Sequence, residues 1–316
     1  MKQLLVSIVM MVFLTTISVF SQTLLLQENF NYSAGQLTSA AAGANVSGGN
    51  WVNFGGTGFY IQVNSADLSY SGYSVSGTND GKIDLLVNTT SAEDSSRSFA
   101  AQSSGTVYAS MLINVADTNK MALNSTSNGD YFTAFLPTAN NTDFIARMGT
   151  KKASGTGNYL LGIRATTNET ATWATAECVP GTTYLVVISY QFVGGTPNDV
   201  ASLWINPDLS GPIPAPNAVS TAATAEPAVD ISKLAFRQAF TNPSSTPNVG
   251  IDKIRVSDGW SLAPLPVELT SFTASMIGTN FATLKWSTAT EINNNGFEIE
   301  RRAEESATWV RVGFVP

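Results

Sequence analysis

The chain of 316 residues contains no histidine and a single cysteine, Cys178. Without imidazole there is no Ser-His-Asp or Cys-His catalysis, no His-ligated zinc and no general base of the usual kind. One cysteine cannot form an intramolecular disulfide, and its neighbours Glu177 and Val179 would not activate a thiolate, so we expect Cys178 to be a small buried residue. Carboxylate chemistry and oxygen-ligated metal ions remain.

Charge is sparse as well. Charged residues make up 12% of the chain, with 16 basic and 23 acidic side chains and a net charge of −7. Binding to a nucleic-acid backbone needs concentrated Lys and Arg, whereas the only adjacent basic pairs are Lys151-Lys152 and Arg301-Arg302. The composition therefore argues against a nucleic-acid partner.

Apolar runs long enough to span a bilayer are missing except near the N-terminus. There, a short basic start precedes an apolar run from Leu4 to Phe20, and a cleavage site fits between Ser21 and Gln22. We interpret residues 1–21 as a secretory signal peptide and expect a secreted or cell-surface protein with no membrane span after cleavage. An uncleaved membrane anchor is the alternative.

Alternation of apolar and polar residues with a period of two is the dominant pattern of the rest of the chain. In residues 106–115 every odd-numbered residue is apolar, while Tyr108 and Ser110 fall on the opposite face. Further strands are predicted at residues 58–63, 82–87, 130–136, 143–148, 159–165, 183–192, 200–206, 232–240 and 249–256. No stretch has a capped period of 3.6 residues, so the pattern predicts an all-β, antiparallel two-sheet jelly-roll sandwich.

Proline and turn residues divide the chain into domains. Residues 22–260 suit one large jelly roll, within which residues 206–230, rich in Pro, Ala, Ser and Thr, are predicted to form one long surface loop. Residues 261–266 contain two prolines and are predicted to be a linker. Residues 267–316 are too few for a complete sandwich of roughly 100 residues, so we expect the N-terminal half of such a module.

The C-terminal segment carries the strongest motif. It comprises Leu265-Pro266-Val267-Glu268-Leu269, Thr283-Leu284-Lys285-Trp286-Ser287 and Gly296-Phe297-Glu298-Ile299-Glu300. It resembles the fibronectin type III-like module near the C-termini of bacterial surface proteins exported by the type IX secretion system. The resemblance implies the secretion machinery as a partner, through a further C-terminal domain. In half a sandwich we expect an exposed apolar side formed by Phe272, Trp286, Phe297 and Ile299.

The first domain is similar to concanavalin A-like (laminin G-like) jelly rolls. The resemblance rests on Gln27-Glu28-Asn29-Phe30, Ser104-Gly105-Thr106-Val107-Tyr108, Leu203-Trp204-Ile205-Asn206-Pro207 and Ile251-Asp252-Lys253-Ile254-Arg255. It implies first and last strands that lie side by side. Such folds serve sugar binders, adhesion modules and glycosidases. We expect a non-enzymatic module that binds carbohydrate or a matrix polymer; a carbohydrate-active enzyme and a purely structural stalk are the alternatives.

The acids do not form a recognisable catalytic pair. A glycosidase needs two carboxyl groups that flank the sugar bond, and jelly-roll glucanases carry them as alternating acids on one strand. Glu298 and Glu300 alternate, but they lie in the fibronectin-like stretch, where we expect an outward charged face. Glu93 and Asp94 are adjacent and point to opposite faces if extended.

A structural calcium site is predicted at Glu28 and Asp252. Glu28 shares its strand face with Leu26, and Asp252 shares its face with Ile254, so both carboxylates are predicted to point inward from neighbouring strands. Two inward carboxylates would repel each other, and a calcium ion would relieve the repulsion. The alternative is separate hydrogen bonds to backbone amides or to a basic side chain such as Arg237.

Candidate ligand-binding aromatic residues are predicted from the strand face or loop on which they lie. An aromatic ring with an open face can stack on the apolar face of a pyranose while neighbouring polar groups bind the hydroxyls. The rings on polar strand faces or in loop-like sequence are Trp204, Tyr108, Tyr131, Trp51 and Trp173. The alternative is that each packs under a neighbouring loop or anchors a strand.

Overall fold

A computed structural model describes residues 22–38, 45–56, 58–73, 81–86, 92–195, 197–208, 212–223, 229–238, 248–260, 269–277, 281–288, 297–301 and 310–315. The predicted signal peptide and linker lie outside these residues. The described part of the chain contains strands and no helix, and hence no helix that could cross a membrane.

Sixteen of the strands precede residue 260. They are β1 (Leu24–Glu28), β2 (Gly35–Gln36), β3 (Val52–Gly55), β4 (Gln62–Asn64), β5 (Lys82–Leu85), β6 (Asp94–Gln102), β7 (Thr106–Val115), β8 (Asp130–Leu136), β9 (Ile145–Lys152), β10 (Tyr159–Arg164), β11 (Thr172–Trp173), β12 (Thr183–Gln191), β13 (Val200–Ile205), β14 (Ala218–Thr221), β15 (Ile231–Arg237) and β16 (Val249–Ser257). Four follow: β17 (Leu269–Ile277), β18 (Phe281–Thr288), β19 (Phe297–Arg301) and β20 (Val310–Val315).

The first sixteen strands form two antiparallel sheets. The larger sheet has nine strands in the order β14-β13-β12-β7-β16-β5-β4-β2, with β1 also paired to β16. The smaller sheet has seven strands in the order β11-β10-β9-β8-β15-β6-β3. The prediction of an all-β, two-sheet jelly roll is confirmed.

The core lies between the two sheets. Met111 and Ile188 from the larger sheet and Phe135 and Leu161 from the smaller one belong to one cluster, and all four are fully buried. Each such side chain contributes about 1.5–3 kcal/mol through loss of apolar surface from water. Cys178 is buried in the same cluster, and burial raises the pKa of its thiol to about 12, as suits an inert packing residue.

The predicted loop at residues 206–230 is interrupted by a strand. Residues 218–221 form β14, which pairs with β13 at the edge of the larger sheet. Ala218 and Ser220 are buried, whereas Val219 and Thr221 are exposed. A strand of four residues carries too little alternation to stand out in a sequence rich in Pro, Ala, Ser and Thr.

The first and last strands of the domain are neighbours, as the jelly-roll resemblance implies. Glu28 of β1 lies opposite Ile254 of β16. On its other side β16 pairs with β7 through an irregular register, in which Asp252 lies opposite Leu112 and Arg255 lies opposite Ser110. Three steps on β16 thus match two steps on β7, so β16 contains a β-bulge with one extra residue.

The bulge centres on Lys253, whose φ of 49° lies in the left-handed region. The extra residue interrupts the alternation, so odd-numbered residues before the bulge and odd-numbered residues after it point to opposite faces of the sheet. Ile251 and Ile254 both pack into the core, although they are three residues apart. Asp252 therefore lies on the outer face of the sheet, and the inward position predicted for it is wrong.

The C-terminal strands form two hairpins, β17 with β18 and β19 with β20. Phe272 on β17 is 59% exposed. Trp286 of the first hairpin packs against Phe297 of the second, with ring centroids 5.2 Å apart, and Ile299 is partly buried. Of the four residues predicted to form an exposed apolar side, Phe272 is the exposed one. The side chains of Glu298 and Glu300 lie outside the described part of the structure.

Candidate functional site

Strand alternation places the predicted ligand-binding rings on different parts of the sandwich. Tyr108 and Trp204 lie on the outer face of the larger sheet, because their neighbours Val107 and Leu203 occupy the core. Tyr131 lies on the outer face of the smaller sheet, next to the fully buried Phe132. The two outer faces differ in what lies over them.

The outer face of the larger sheet is covered. Trp204 is 5% exposed and contacts Trp260 at 4.9 Å between ring centroids, and Trp260 in turn packs edge-on against Tyr108 at 5.6 Å. The Trp204 Nε1–H donates to the carbonyl oxygen of Pro214, 2.8 Å away. These rings hold the segments around residues 214 and 260 on the sheet, as the alternative interpretation states.

A second cover lies on the same face. The segment of residues 65–73 places Leu68 and Tyr73 over Leu112 and Leu185 in a separate apolar cluster. The Tyr73 hydroxyl donates to the carbonyl oxygen of Lys253 at 2.8 Å, and burial raises its pKa to about 12. This hydroxyl is a structural tie between the cover and the bulge.

The prediction of Trp51 as a ligand-binding ring is wrong. Its side chain is fully buried between the sheets, where it stacks against Phe30 at 5.8 Å and Phe236 at 5.3 Å. Its Nε1–H donates to Glu28 Oε2 at 2.9 Å. Both ring faces are therefore taken by core residues, and no sugar can reach them.

A cleft of about 170 Å³ opens on the outer face of the smaller sheet. It is lined by Asn128, Gly129, Asp130, Tyr131, Arg147, Gly149, Gly162, Arg164 and Ala171. Its centre is one row of cross-strand partners that runs over four strands: Tyr131 opposite Gly149, Gly149 opposite Gly162, and Gly162 opposite Trp173. Cross-strand partners share a face, so two rings flank a floor made of two glycines.

The glycine floor is required by close packing. A Cβ atom on Gly162 would lie 2.5 Å from Trp173 Cε3, and one on Gly149 would lie 2.7 Å from the carbonyl oxygen of Asp130. Any other residue at either position would displace the ring or the neighbouring strand. Both glycines are buried, and the ring of Trp173 lies over Gly162.

Trp173 lies next to the cleft, over its lining residue Gly162, and is partly exposed. Its ring packs over Gly162, and its Nε1–H donates to the carbonyl oxygen of Ser127 at 2.8 Å. The ammonium group of Lys151 lies 4.7 Å from the centroid of the ring. These contacts hold the indole in one orientation beside the cleft.

Two arginines lie over the ring of Tyr131. The guanidinium carbons of Arg147 and Arg237 lie 4.6 and 4.7 Å from the centroid of the Tyr131 ring, which is cation–π geometry. Burial raises the pKa of the Tyr131 hydroxyl, against the opposing effect of the two guanidinium groups. Tyr131 is therefore a neutral, oriented ring rather than a proton acceptor.

Arg147 follows a strained point in β9. Ala146 has a φ of 49°, within an irregular stretch of the pairing between β8 and β9. A non-glycine residue in the left-handed region costs on the order of 1–3 kcal/mol, and such strain often lies next to functional sites. Here the irregularity sets the direction of Arg147, which donates from Nε to the carbonyl oxygen of Phe144 at 3.1 Å and from Nη2 to Thr167 Oγ1 at 2.6 Å.

Two carboxyl groups adjoin the arginines. Asp130 Oδ1 pairs with Arg237 Nη1 at 3.1 Å. Asp94 lies opposite Arg237 in the sheet register; burial raises the pKa of Asp94 to about 7, with Arg237 lowering it and Glu93 raising it. Glu93 points the other way, where it accepts a hydrogen bond from the Ile61 amide at 2.7 Å. The expectation that Glu93 and Asp94 face opposite sides is confirmed.

The calcium site predicted at Glu28 and Asp252 is not formed, since the two carboxylates lie on opposite faces of the larger sheet. Glu28 points between the sheets, where it pairs with Arg97 and accepts hydrogen bonds from the Phe30 amide and the Tyr32 hydroxyl, each at 2.8 Å. An arginine and several donors already satisfy this carboxylate, so it has no need of a cation. The basic partner is Arg97, not Arg237.

Asp252 has its own set of partners on the outer face. It accepts a hydrogen bond from the Leu68 amide at 2.9 Å and lies 3.4 Å from Lys253 Nζ, which also pairs with Asp67. Burial, together with the hydrogen bond to Asp67, raises the pKa of Asp252. No group of three or more potential metal-ligating side chains occurs among the described residues. The acids present do not fit a calcium site.

The arginines of the cleft were not predicted from the sequence. Arg147, Arg164 and Arg237 are far apart in the chain and lie on three different strands. A usable signal exists: each is a cation on an alternating strand, opposite to the apolar face. Only the strand order, which brings β8, β9, β10 and β15 side by side, places them together.

Comparison with known proteins gives structural likeness alone. No family model and no curated protein matches the chain. A sialidase of Trypanosoma rangeli is 8% identical, with a TM-score of 0.33, over 74% of this chain and 35% of the sialidase. A glycosyl hydrolase family protein from Mycobacterium fortuitum is 12% identical, with a TM-score of 0.35, over 74% of this chain and 99% of its own. The carbohydrate recognition domain of Emp47p is 10% identical, with a TM-score of 0.29, over 73% of this chain and 96% of that domain.

These similarities are too low to support an argument about function. The chain spans about a third of the sialidase. The fold assignment rests on the sheet order and register described above, and a function has to be derived from the cleft itself.

Proposed function

We propose that this protein is a secreted or cell-surface binding module that recognises carbohydrate, without catalysis, through the cleft on the outer face of its smaller sheet. The observation that carries the proposal is the row of Tyr131, Gly149, Gly162 and Trp173. The row places two aromatic rings and two glycines side by side, with the ring of Trp173 packed over Gly162. Partly exposed aromatic rings beside polar groups suit a sugar ring, which has an apolar face and hydroxyl groups at its edge.

The polar groups around the row support the same proposal. Asn128 and Asp130 line the cleft with amide and carboxylate groups that bind hydroxyls, and Arg147 and Arg164 add donors. Partly exposed Trp173 supplies apolar area beside them. A cleft of about 170 Å³ lies below the roughly 300–1,000 Å³ typical of drug-sized ligands, so it suits a single sugar residue of a polymer.

A glycan array with the full chain tests the proposal. We expect binding that Trp173→Ala abolishes and that Trp204→Phe leaves intact, because Trp204 lies beneath a cover on the other sheet. If Trp204→Phe abolishes binding and Trp173→Ala does not, the ligand lies on the larger sheet. If no glycan binds, the structural stalk becomes the better interpretation.

The proposed location rests on the two ends of the sequence. The N-terminal pattern supports export through a signal peptide, and the fibronectin-like motif supports the type IX route by resemblance. N-terminal sequencing of the protein recovered from the cell surface or the medium tests the first step, with Gln22 as the expected first residue. A protein that retains Met1 would contradict it.

A carbohydrate-active enzyme is the second candidate function, and Asp94 is the observation that favours it. A carboxyl group with a pKa of about 7, beside Arg237 on the same sheet face as the cleft, can hold a proton at neutral pH as a general acid does. Release of reducing ends from polysaccharides by the full chain, and its loss in Asp94→Asn, would establish this alternative. Absence of release with retained binding supports the non-enzymatic proposal.

A further inference from the structure

The cleft concentrates positive charge in an acidic protein. The whole chain has 16 basic side chains and a net charge of −7, yet Arg147, Arg164 and Arg237 lie together around Tyr131. Arginine offers a planar fork of donors that matches a carboxylate or a sulfate, and it does so better than lysine. Arg237 is paired with Asp130, whereas Arg147 and Arg164 line the cleft itself.

Two of the arginines face each other directly. Arg147 of β9 and Arg164 of β10 are cross-strand partners. Like charges at such a position destabilise a sheet. Burial, together with Arg164 and Arg237, lowers the pKa of Arg147 to about 10, so the repulsion is felt inside a partly desolvated site. An anion bound between the two guanidinium groups would offset this repulsion.

Among the described residues, no acid forms an ion pair with Arg147 or Arg164. Asp130 pairs with Arg237. Glu169 lies near Arg147 and Arg164, but its oxygens accept hydrogen bonds from the Thr166 amide, the Thr166 hydroxyl and the Ala223 amide. In the described part of the chain, Arg147 and Arg164 form no salt bridge.

We infer that the cleft selects an anionic sugar, whose carboxylate or sulfate group lies between Arg147 and Arg164 while its ring lies over Gly149 beside Tyr131 and Trp173. This inference rests on the proposed function and adds the class of sugar to it. The carboxylate of a uronate and the sulfate ester of a sulfated sugar present the same acceptor chemistry to a guanidinium pair. Neutral sugars lack the group that would offset the repulsion.

The test compares three polymers on the full chain by isothermal titration calorimetry at matched ionic strength. Polygalacturonate carries carboxylates, carrageenan carries sulfates, and dextran is neutral. We expect one acidic polymer to bind on the order of tenfold or more tightly than dextran, since hydrogen bonds between charged partners are worth about 1.5–3 kcal/mol. Which acidic polymer binds identifies the anionic group.

Variants decide whether the arginine pair is responsible. We expect Arg164→Gln to weaken binding of the acidic polymer by on the order of tenfold, and Arg164→Lys to weaken it less, because lysine keeps the charge but loses the fork. Lys120→Gln removes the same charge from an exposed site outside the cleft and should leave binding unchanged. Arg164→Lys also serves as the folded comparison if Arg164→Gln is unstable.

The outcomes separate this inference from the proposed function. Equal binding of dextran and the acidic polymers, lost in Trp173→Ala but kept in Arg164→Gln, keeps the carbohydrate function and overturns the anionic selectivity. Equal weakening by Arg164→Gln and Lys120→Gln means general charge attraction and also overturns it. If none of the polymers and no glycan on the array binds, the proposed function itself fails.

Discussion

Strand alternation places aromatic residues on both outer faces of the sandwich, but other segments cover one face, whereas the other face bears a cleft. On the larger sheet, Tyr108 and Trp204 are covered by Trp260, and Trp204 also contacts the segment that contains Pro214. On the smaller sheet, Tyr131 and Trp173 are partly exposed beside a cleft that Gly149 and Gly162 help to line. An outward aromatic residue is therefore not evidence of a ligand site until the cover of its face is known.

The rings of the two faces are also expected to differ in what they contribute to stability and to binding. Rings beneath a cover lose their surface to water on folding and contribute to the free energy of unfolding. Partly exposed rings contribute less to it and keep area for a ligand. The predictions below compare the two faces, from the largest expected effect to the smallest.

The largest effect should come from the covered face. Trp204→Ala removes a nearly buried ring that contacts Trp260, and we expect the free energy of unfolding to fall by about 3–5 kcal/mol. Trp173→Ala should cost clearly less, because this ring is partly exposed. Urea denaturation of both variants measures the difference. Equal losses would mean that the two faces are covered alike.

A single methyl group at the cleft should reduce both stability and ligand binding. Gly162→Ala places a Cβ against Trp173 Cε3, and we expect a loss of about 1–3 kcal/mol of stability with loss of ligand binding as the indole moves. Gly194→Ala is the matched control, since nothing lies within 4 Å of its added Cβ. Unchanged binding by Gly162→Ala would show that the position of Trp173 is not critical.

One acid on each face should give a pH dependence of the same sign. Burial raises the pKa of Asp94 on the smaller sheet to about 7 and also raises that of Asp252 on the larger sheet. Their folded-state pKa values exceed the unfolded value of about 3.9, so the folded state binds more protons in between, and its stability falls as the pH rises from about 4 to about 7.

Variants distinguish the two acids. Asp94→Asn and Asp252→Asn should each flatten this slope, as measured by chemical denaturation at a pH of about 5 and of about 8. Only Asp94→Asn should also reduce the loss of anionic-sugar binding with rising pH, because ionised Asp94 adds negative charge beside Arg237. Stability that increases with pH over this range in the wild type would contradict the burial of both carboxyl groups.

The smallest expected effect concerns calcium. Glu28 is satisfied between the sheets and Asp252 on the outer face, so we expect the same Tm with millimolar calcium and with chelator. A site filled at a hundredfold excess over its Kd would add about 2.7 kcal/mol, which thermal unfolding would detect. A rise in Tm that Glu28→Gln abolishes would restore the predicted site.

Regular alternation made much of the fold predictable. The bounds of β7 and β8 agree with those predicted, and along β7 hydrophobic residues mark the core face without interruption. The residue pattern does not predict β6, since its sequence from Asp94 to Gln102 is mostly polar. It is a strand because β3 and β15 pair with it on either side, which only the assembled sheet determines.

The candidate site was predictable in its parts but not as a whole. The faces of Tyr131 and Tyr108 followed from alternation, but the open cleft and the covers depend on segments that are distant in the chain. Alternation predicts the wrong side for Asp252, because the bulge at Lys253 carries no signal in the residue pattern. Trp51 was misplaced because its glycine- and asparagine-rich surroundings are typical of a surface loop.

The bulge at Lys253 also bears on how the chain tolerates changes in length. Removing one residue from a regular strand would exchange the inward and outward positions of everything that follows. Removing Lys253 would instead restore ordinary pairing, with Ile254 opposite Met111 and Arg255 still opposite Ser110. What would be lost is the ammonium group that ties Asp67, and with it the segment of residues 65–73, to the sheet. Deleting Lys253 would therefore loosen the segment of residues 65–73. The core residues of β16 would keep their inward positions.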